Sequence, residues 1–211
     1  NGDQLENTFF NNNFKRFSFV RNPFSRILSA YLDKLINVEY ERKRHLPRLG
    51  FELSEYPTFY EFLTRLAKIS DEQRDIHFMT QSRLLLIKEI NYDFIGRFEN
   101  FSEDFLELQA NIFNIINPQN DYRKFGTHHA SNAGEKLFQY YSQQEISLVK
   151  EIYHYDFAIF GYDTEVAKYR EYKTPVSPKI LKTKYELTDL DLGFDFSIGE
   201  TEKKEIGPFK S

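Results

Sequence analysis

The 211-residue chain has no cysteine, no tryptophan and a single methionine. Without thiols, neither a disulfide framework nor a thiolate metal site can form within it, which fits a reducing compartment such as a bacterial cytoplasm. Apolar runs are short. None approaches the roughly 20 residues that span a bilayer, and no signal-peptide pattern is visible. Positive charge is not in excess either: the net charge of −4 argues against a general nucleic-acid binder, so any anion site has to be local. Also missing is any G-x-x-x-x-G-K-S/T, which weighs against a P-loop kinase, as does the lack of an evident magnesium-binding aspartate.

What is present suits a globular core. Twenty-two phenylalanines and 14 tyrosines carry the apolar volume that Trp and Met do not. The length allows one domain with an extension. A strand is predicted at 15–21, followed by a helix at 23–36. Residues 37–57 read as a surface excursion carrying the basic run Glu41-Arg42-Lys43-Arg44-His45. Thr58 is placed to cap a helix reaching Ile69, with Phe59, Phe62, Leu63 and Leu66 on one face. A buried strand at 92–98 precedes a helix from Ser102 to Ile116, and another helix begins near Glu135. Ser142 and Glu145 fit a capping box for a helix reaching Tyr153. Strand–helix alternation predicts an α/β domain with a parallel sheet. The domain is expected over 1–165, with 166–211 as an appendage, docked tail or linker.

The stretch from Arg21 to Tyr31 is the most informative. Pro23 suits a first helical position and Asn22 an N-cap, so a strand ending in arginine turns directly into a helix. Free N–H groups, the positive helix end and a guanidinium make an anion site; an ordinary amphipathic helix after a buried strand is the plain alternative. Phe24, Ile27, Leu28, Tyr31, Leu32 and Leu35 form the apolar face. Asn22, Ser25, Arg26, Ser29 and Asp33 fall on the other.

Arg21-Asn22-Pro23-Phe24-Ser25-Arg26-Ile27-Leu28-Ser29-Ala30-Tyr31 resembles the 3′-phosphate-binding segment of the carbohydrate sulfotransferase family, which includes the chondroitin 4-O-sulfotransferases and bacterial relatives. Three further segments resemble that family in the same order. Asp75-Ile76-His77-Phe78-Met79-Thr80-Gln81 is similar to its D-x-H-W-x-P-Q. Tyr92 to Asn100 is similar to its Y-D-F strand, and Tyr153 to Tyr162 to its closing Y-x-x-D-F-x-x-F-G-Y. The resemblance covers roughly residues 14 to 163. It implies a P-loop-like sulfotransferase fold, α/β with a parallel sheet flanked by helices. It further implies 3′-phosphoadenosine 5′-phosphosulfate (PAPS) as sulfate donor, 3′,5′-ADP (PAP) as product, a carbohydrate or other hydroxyl acceptor, and no metal. Animal relatives carry cysteines between the histidine segment and the Y-D-F strand, where this chain has none.

By position, the resemblance assigns Arg21 and Ser29 to the donor's 3′-phosphate. Sulfuryl transfer depends mainly on positioning and charge stabilisation, with a base near the acceptor hydroxyl. His77 is the candidate base, because imidazole titrates near neutrality, and Asp75 is placed to orient it. Another active-site role and a structural role stay open for His77. Arg97 either touches donor or acceptor or pairs with Glu99 or Asp104. The loop holding Thr127, His129 and Ser131 resembles a family loop near the nucleotide. The basic run 41–45 reads as a solvated face or as an attraction for an anionic glycan. The family's 5′-phosphosulfate loop, P-K-x-G/A-x-S/T, is not found ahead of Arg21. The expectation is therefore an N-terminally incomplete domain, inactive without that loop; a non-catalytic nucleotide- or glycan-binding relative is the alternative.

Overall fold

A computed structural model describes residues 14–116 and 133–170. Its sheet pairs β1 (Phe17–Val20) with β2 (Phe94–Arg97) in parallel, Phe17 opposite Phe94 and Val20 opposite Arg97. Parallel neighbours require a long crossover. Here it consists of α1 (Pro23–Tyr31), α2 (Glu39–His45), α3 (Phe59–Leu66) and the short α4 (Gln81–Leu84). After β2 come α5 (Phe101–Glu107), α6 (Ala133–Tyr140), α7 (Gln143–Ile152) and α8 (His154–Phe160). The architecture is α/β, dominated by helices. Among the described residues no helix is long and apolar enough to cross a membrane.

The local signals act as read. The Asn22 side chain accepts the Phe24 N–H at 2.8 Å, and Pro23 opens α1. Phe24, Ile27, Leu28, Tyr31, Leu32 and Leu35 all lie in the core. The helix continues past Tyr31, but Leu32–Asn37 is wound as a π-helix. Thr58 with Glu61 and Ser142 with Glu145 both close capping boxes. Two positions on the expected polar stripe of α1, Asn22 and Ser25, are instead buried, because the strand end and its neighbours cover them.

The excursion at 37–57 is not simply surface. The α-helical period brings Arg42, His45 and Leu46 to one face, and that face is packed. The Arg42 guanidinium lies 3.8 Å from the Tyr56 ring centroid, while Lys43 stays outside and pairs with Glu39 at 2.7 Å. The basic run is therefore split between core and solvent. Past 165, a 3₁₀ turn (Val166–Arg170) lays Val166 in the core and Tyr169 against Phe24, with ring centroids 6.1 Å apart.

Candidate functional site

The C-terminal end of β1 and the start of α1 open onto a cleft of about 530 Å³. That volume falls within the roughly 300–1,000 Å³ usual for small-molecule sites. Arg21, Ser29 and His77 all line it, together with Arg26, Lys34 and Glu41. Residues from two of the resembling segments, far apart in sequence, thus meet on one surface.

Arg21 is the first residue beyond the strand. Its Nε donates to Ser25 Oγ at 3.1 Å, and Ser25 Oγ lies 3.2 Å from the Asn22 carbonyl as donor. The guanidinium also sits over the Phe98 ring, 5.3 Å from its centroid. Burial pulls Arg21 below its ordinary pKa, while Glu99 and Tyr162 pull the other way. A part-buried guanidinium that lacks its full hydration gains more from an incoming anion than a fully solvated one. Ser25 escapes the sequence reading because its role is to aim Arg21; its i+4 spacing from Arg21 is the available signal.

His77 reaches the cleft because its own backbone is held from several sides. Arg26 on α1 donates to the Met79 carbonyl at 2.7 Å and the Ile76 carbonyl at 3.3 Å. The Tyr153 hydroxyl donates to the Phe78 carbonyl at 2.6 Å. Asp75 meets the His77 main-chain N–H at 3.1 Å rather than its ring, and its other oxygen takes Arg48 at 3.0 Å. Asp75 therefore shapes the turn that carries the imidazole. Burial, then the Lys34 cation, holds the His77 pKa below its ordinary value against the pull of Asp75. Both effects favour the neutral ring, the form a proton acceptor needs. Lys34 in turn lies 2.8 Å from Asp33 and 3.8 Å from Glu41.

Arg97 is placed elsewhere. Its Nη2 donates to the Phe160 carbonyl at 2.9 Å, at the C-terminal end of α8, and its guanidinium stacks on Tyr162 at 4.8 Å. It does not line the cleft. Its main-chain N–H, not its guanidinium, bonds the buried Asp104 at 2.5 Å. Thr127, His129 and Ser131 lie outside the described residues. Among the described residues no group of three or more His, Asp and Glu side chains is arranged to hold a metal ion.

Residues 3–163 match the sequence model of the sulfotransferase family. The chain belongs to that family. Carbohydrate sulfotransferase 12 of Xenopus laevis is 28% identical over 174 residues, covering 71% of this chain and 40% of that protein. Carbohydrate sulfotransferase 9 of Homo sapiens is 28% identical over 175 residues, with 72% and 38% covered. Carbohydrate sulfotransferase 14 of Danio rerio is 30% identical over 164 residues, with 70% and 43% covered. The chain thus spans about two fifths of the length of these curated relatives. No solved structure matches it with comparable significance.

Proposed function

We propose that this sulfotransferase chain binds the nucleotide of PAPS and serves transfer of its sulfuryl group to a carbohydrate hydroxyl. The observation that carries the reading is the convergence of Arg21, Ser29 and His77 on one cleft. Arg21 and Ser29 grip the 3′-phosphate, and the positive end of α1 adds to the field there. In the transfer step the acceptor oxygen attacks sulfur as the bond from sulfur to the nucleotide's phosphate oxygen breaks. PAP departs, and the neutral His77 ring takes the hydroxyl proton. Arg21 and Ser29 thus serve the 3′-phosphate end, and His77 serves as the base. The names of the relatives support carbohydrate as the acceptor class.

Calorimetry tests the nucleotide assignment directly. 3′,5′-ADP is expected to bind and its regioisomer 2′,5′-ADP to bind much more weakly, because the fork at Arg21 reads phosphate position. Arg21→Ala removes a charge-assisted contact of about 1.5–3 kcal/mol, so 3′,5′-ADP should weaken by roughly 10- to 100-fold. Equal affinity for the two isomers would overturn the 3′-phosphate assignment. Binding without transfer of radiolabelled sulfate from PAPS to glycans by the full-length protein would instead favour a nucleotide-binding relative that is not a catalyst.

A further inference from the structure

We infer that Gln81, Glu99 and Tyr162 are positioning residues that hold the main chain around Arg21 so that its guanidinium meets a nucleotide phosphate. This rests on the reading of Arg21 as the 3′-phosphate ligand.

The need arises from the strand end. Pairing of β1 with β2 stops at Val20 opposite Arg97, so the peptide groups of residue 21 lie beyond the ladder. Buried backbone N–H and C=O groups require partners. The Gln81 amide supplies both for Arg21. The Arg21 N–H donates to Gln81 Oε1 at 2.8 Å, and Gln81 Nε2 donates to the Arg21 carbonyl at 2.8 Å. Two opposed bonds from one planar amide fix both the position and the tilt of the residue. A single bond would leave it free to rotate.

Gln81 is itself held. It is buried at the start of α4, where its N–H and that of Ser82 donate at 2.8 Å to the two carboxylate oxygens of Asp156. Asp156 is completely buried. One residue beyond Arg21, the Asn22 N–H donates to Glu99 Oε1 at 2.7 Å. The other Glu99 oxygen lies 3.0 Å from the Tyr162 hydroxyl, which also approaches the Val20 carbonyl at 3.2 Å. Three successive residues are therefore gripped by side chains from three distant segments. None of Gln81, Glu99 and Tyr162 lines the cleft, so they act through Arg21 and not on a ligand. A guanidinium fork gains its strength from alignment, and a support shell of this kind supplies it before the ligand arrives.

The test is a double-mutant cycle read by calorimetry with 3′,5′-ADP on the whole chain. Gln81→Glu keeps the acceptor for the Arg21 N–H but sets a carboxylate against the Arg21 carbonyl. It is expected to weaken binding about 10-fold when Arg21 is present, and less than about 2-fold in an Arg21→Lys background, where a flexible ammonium no longer depends on alignment. Glu99→Ala is expected to lose about as much as Gln81→Glu, and Glu99→Gln, which can still accept from the Asn22 N–H, to recover most of it. Tyr162→Phe keeps the ring on Arg97 and serves as the mildest variant, its melting point verifying the fold. Equal losses in both backgrounds, or no loss with Arg21 present, would overturn the positioning role and leave the phosphate assignment intact. If the unsubstituted chain fails to prefer 3′,5′-ADP over 2′,5′-ADP, the phosphate reading falls first and the positioning role with it.

Discussion

The charge state of His77 is decided by its neighbours. Burial and Lys34 both disfavour the imidazolium, and Asp75 only partly compensates. Lys34→Met removes the second of these causes and leaves Asp33 and Glu41 without their cation. A nearby positive charge opposes a second one, so its loss stabilises the protonated ring. The titration midpoint of His77, followed by its imidazole proton resonances, is expected to move upward. An unchanged or lowered midpoint would show that Lys34 does not act on the ring. The residues quoted for their resemblance, Arg21, Ser29 and His77, were legible in the sequence because each stands in a recognisable segment. Lys34 was not, since its work depends on what lies across the cleft, and Ser25 offered only its i+4 spacing from Arg21.

Among the elements, β2 shows how closely a single atom can be specified. A Cβ built on Gly96 would sit 2.4 Å from the Phe19 ring and 2.9 Å from the Phe94 ring. Phe19 cannot simply swing away. Its ring is packed on Phe101 and Phe105, with centroids 4.7 and 6.2 Å distant. Gly96→Ala is therefore expected to cost about 1–3 kcal/mol, measured by denaturant unfolding, as for other overpacked cores. A neutral substitution would mean that the ring cluster is loose. Caps and apolar stripes were readable here because they rest on local periodicity, as in the Thr58–Glu61 and Ser142–Glu145 boxes. The π-wound continuation of α1 and the burial of Arg42 and His45 were not. The burial depends on what packs against those residues.

For the molecule as a whole, the junction of α7 and α8 braces the turn that carries His77. Tyr153 is buried, and its hydroxyl bond to the Phe78 carbonyl ties the end of α7 to the turn that carries His77. Burial drives the Tyr153 phenol well above its ordinary pKa, so it stays a donor across the working range of pH. Tyr153→Phe leaves the Phe78 carbonyl without that donor, and a loss of about 1–3 kcal/mol in unfolding free energy is expected. Hydrogen exchange at residues 75–79 should rise more than at β1 and β2. A uniform rise across the domain would show a global brace and no specific link to the histidine turn.

Several things followed from the sequence alone: the α/β class, the starts of α1, α3 and α7, the apolar face of α1, and a strand–helix junction suited to an anion. These rest on periodicity, capping chemistry and motif order, all of which are local properties of the chain. Only the tertiary structure decided that three separated segments, at Gln81, Glu99 and Tyr162, close on the main chain of residues 20–22. It also decided that Asp75 holds the His77 backbone and not its ring, and that Arg97 braces the end of α8. Those outcomes depend on which buried donor finds which acceptor across distances that no sequence spacing encodes.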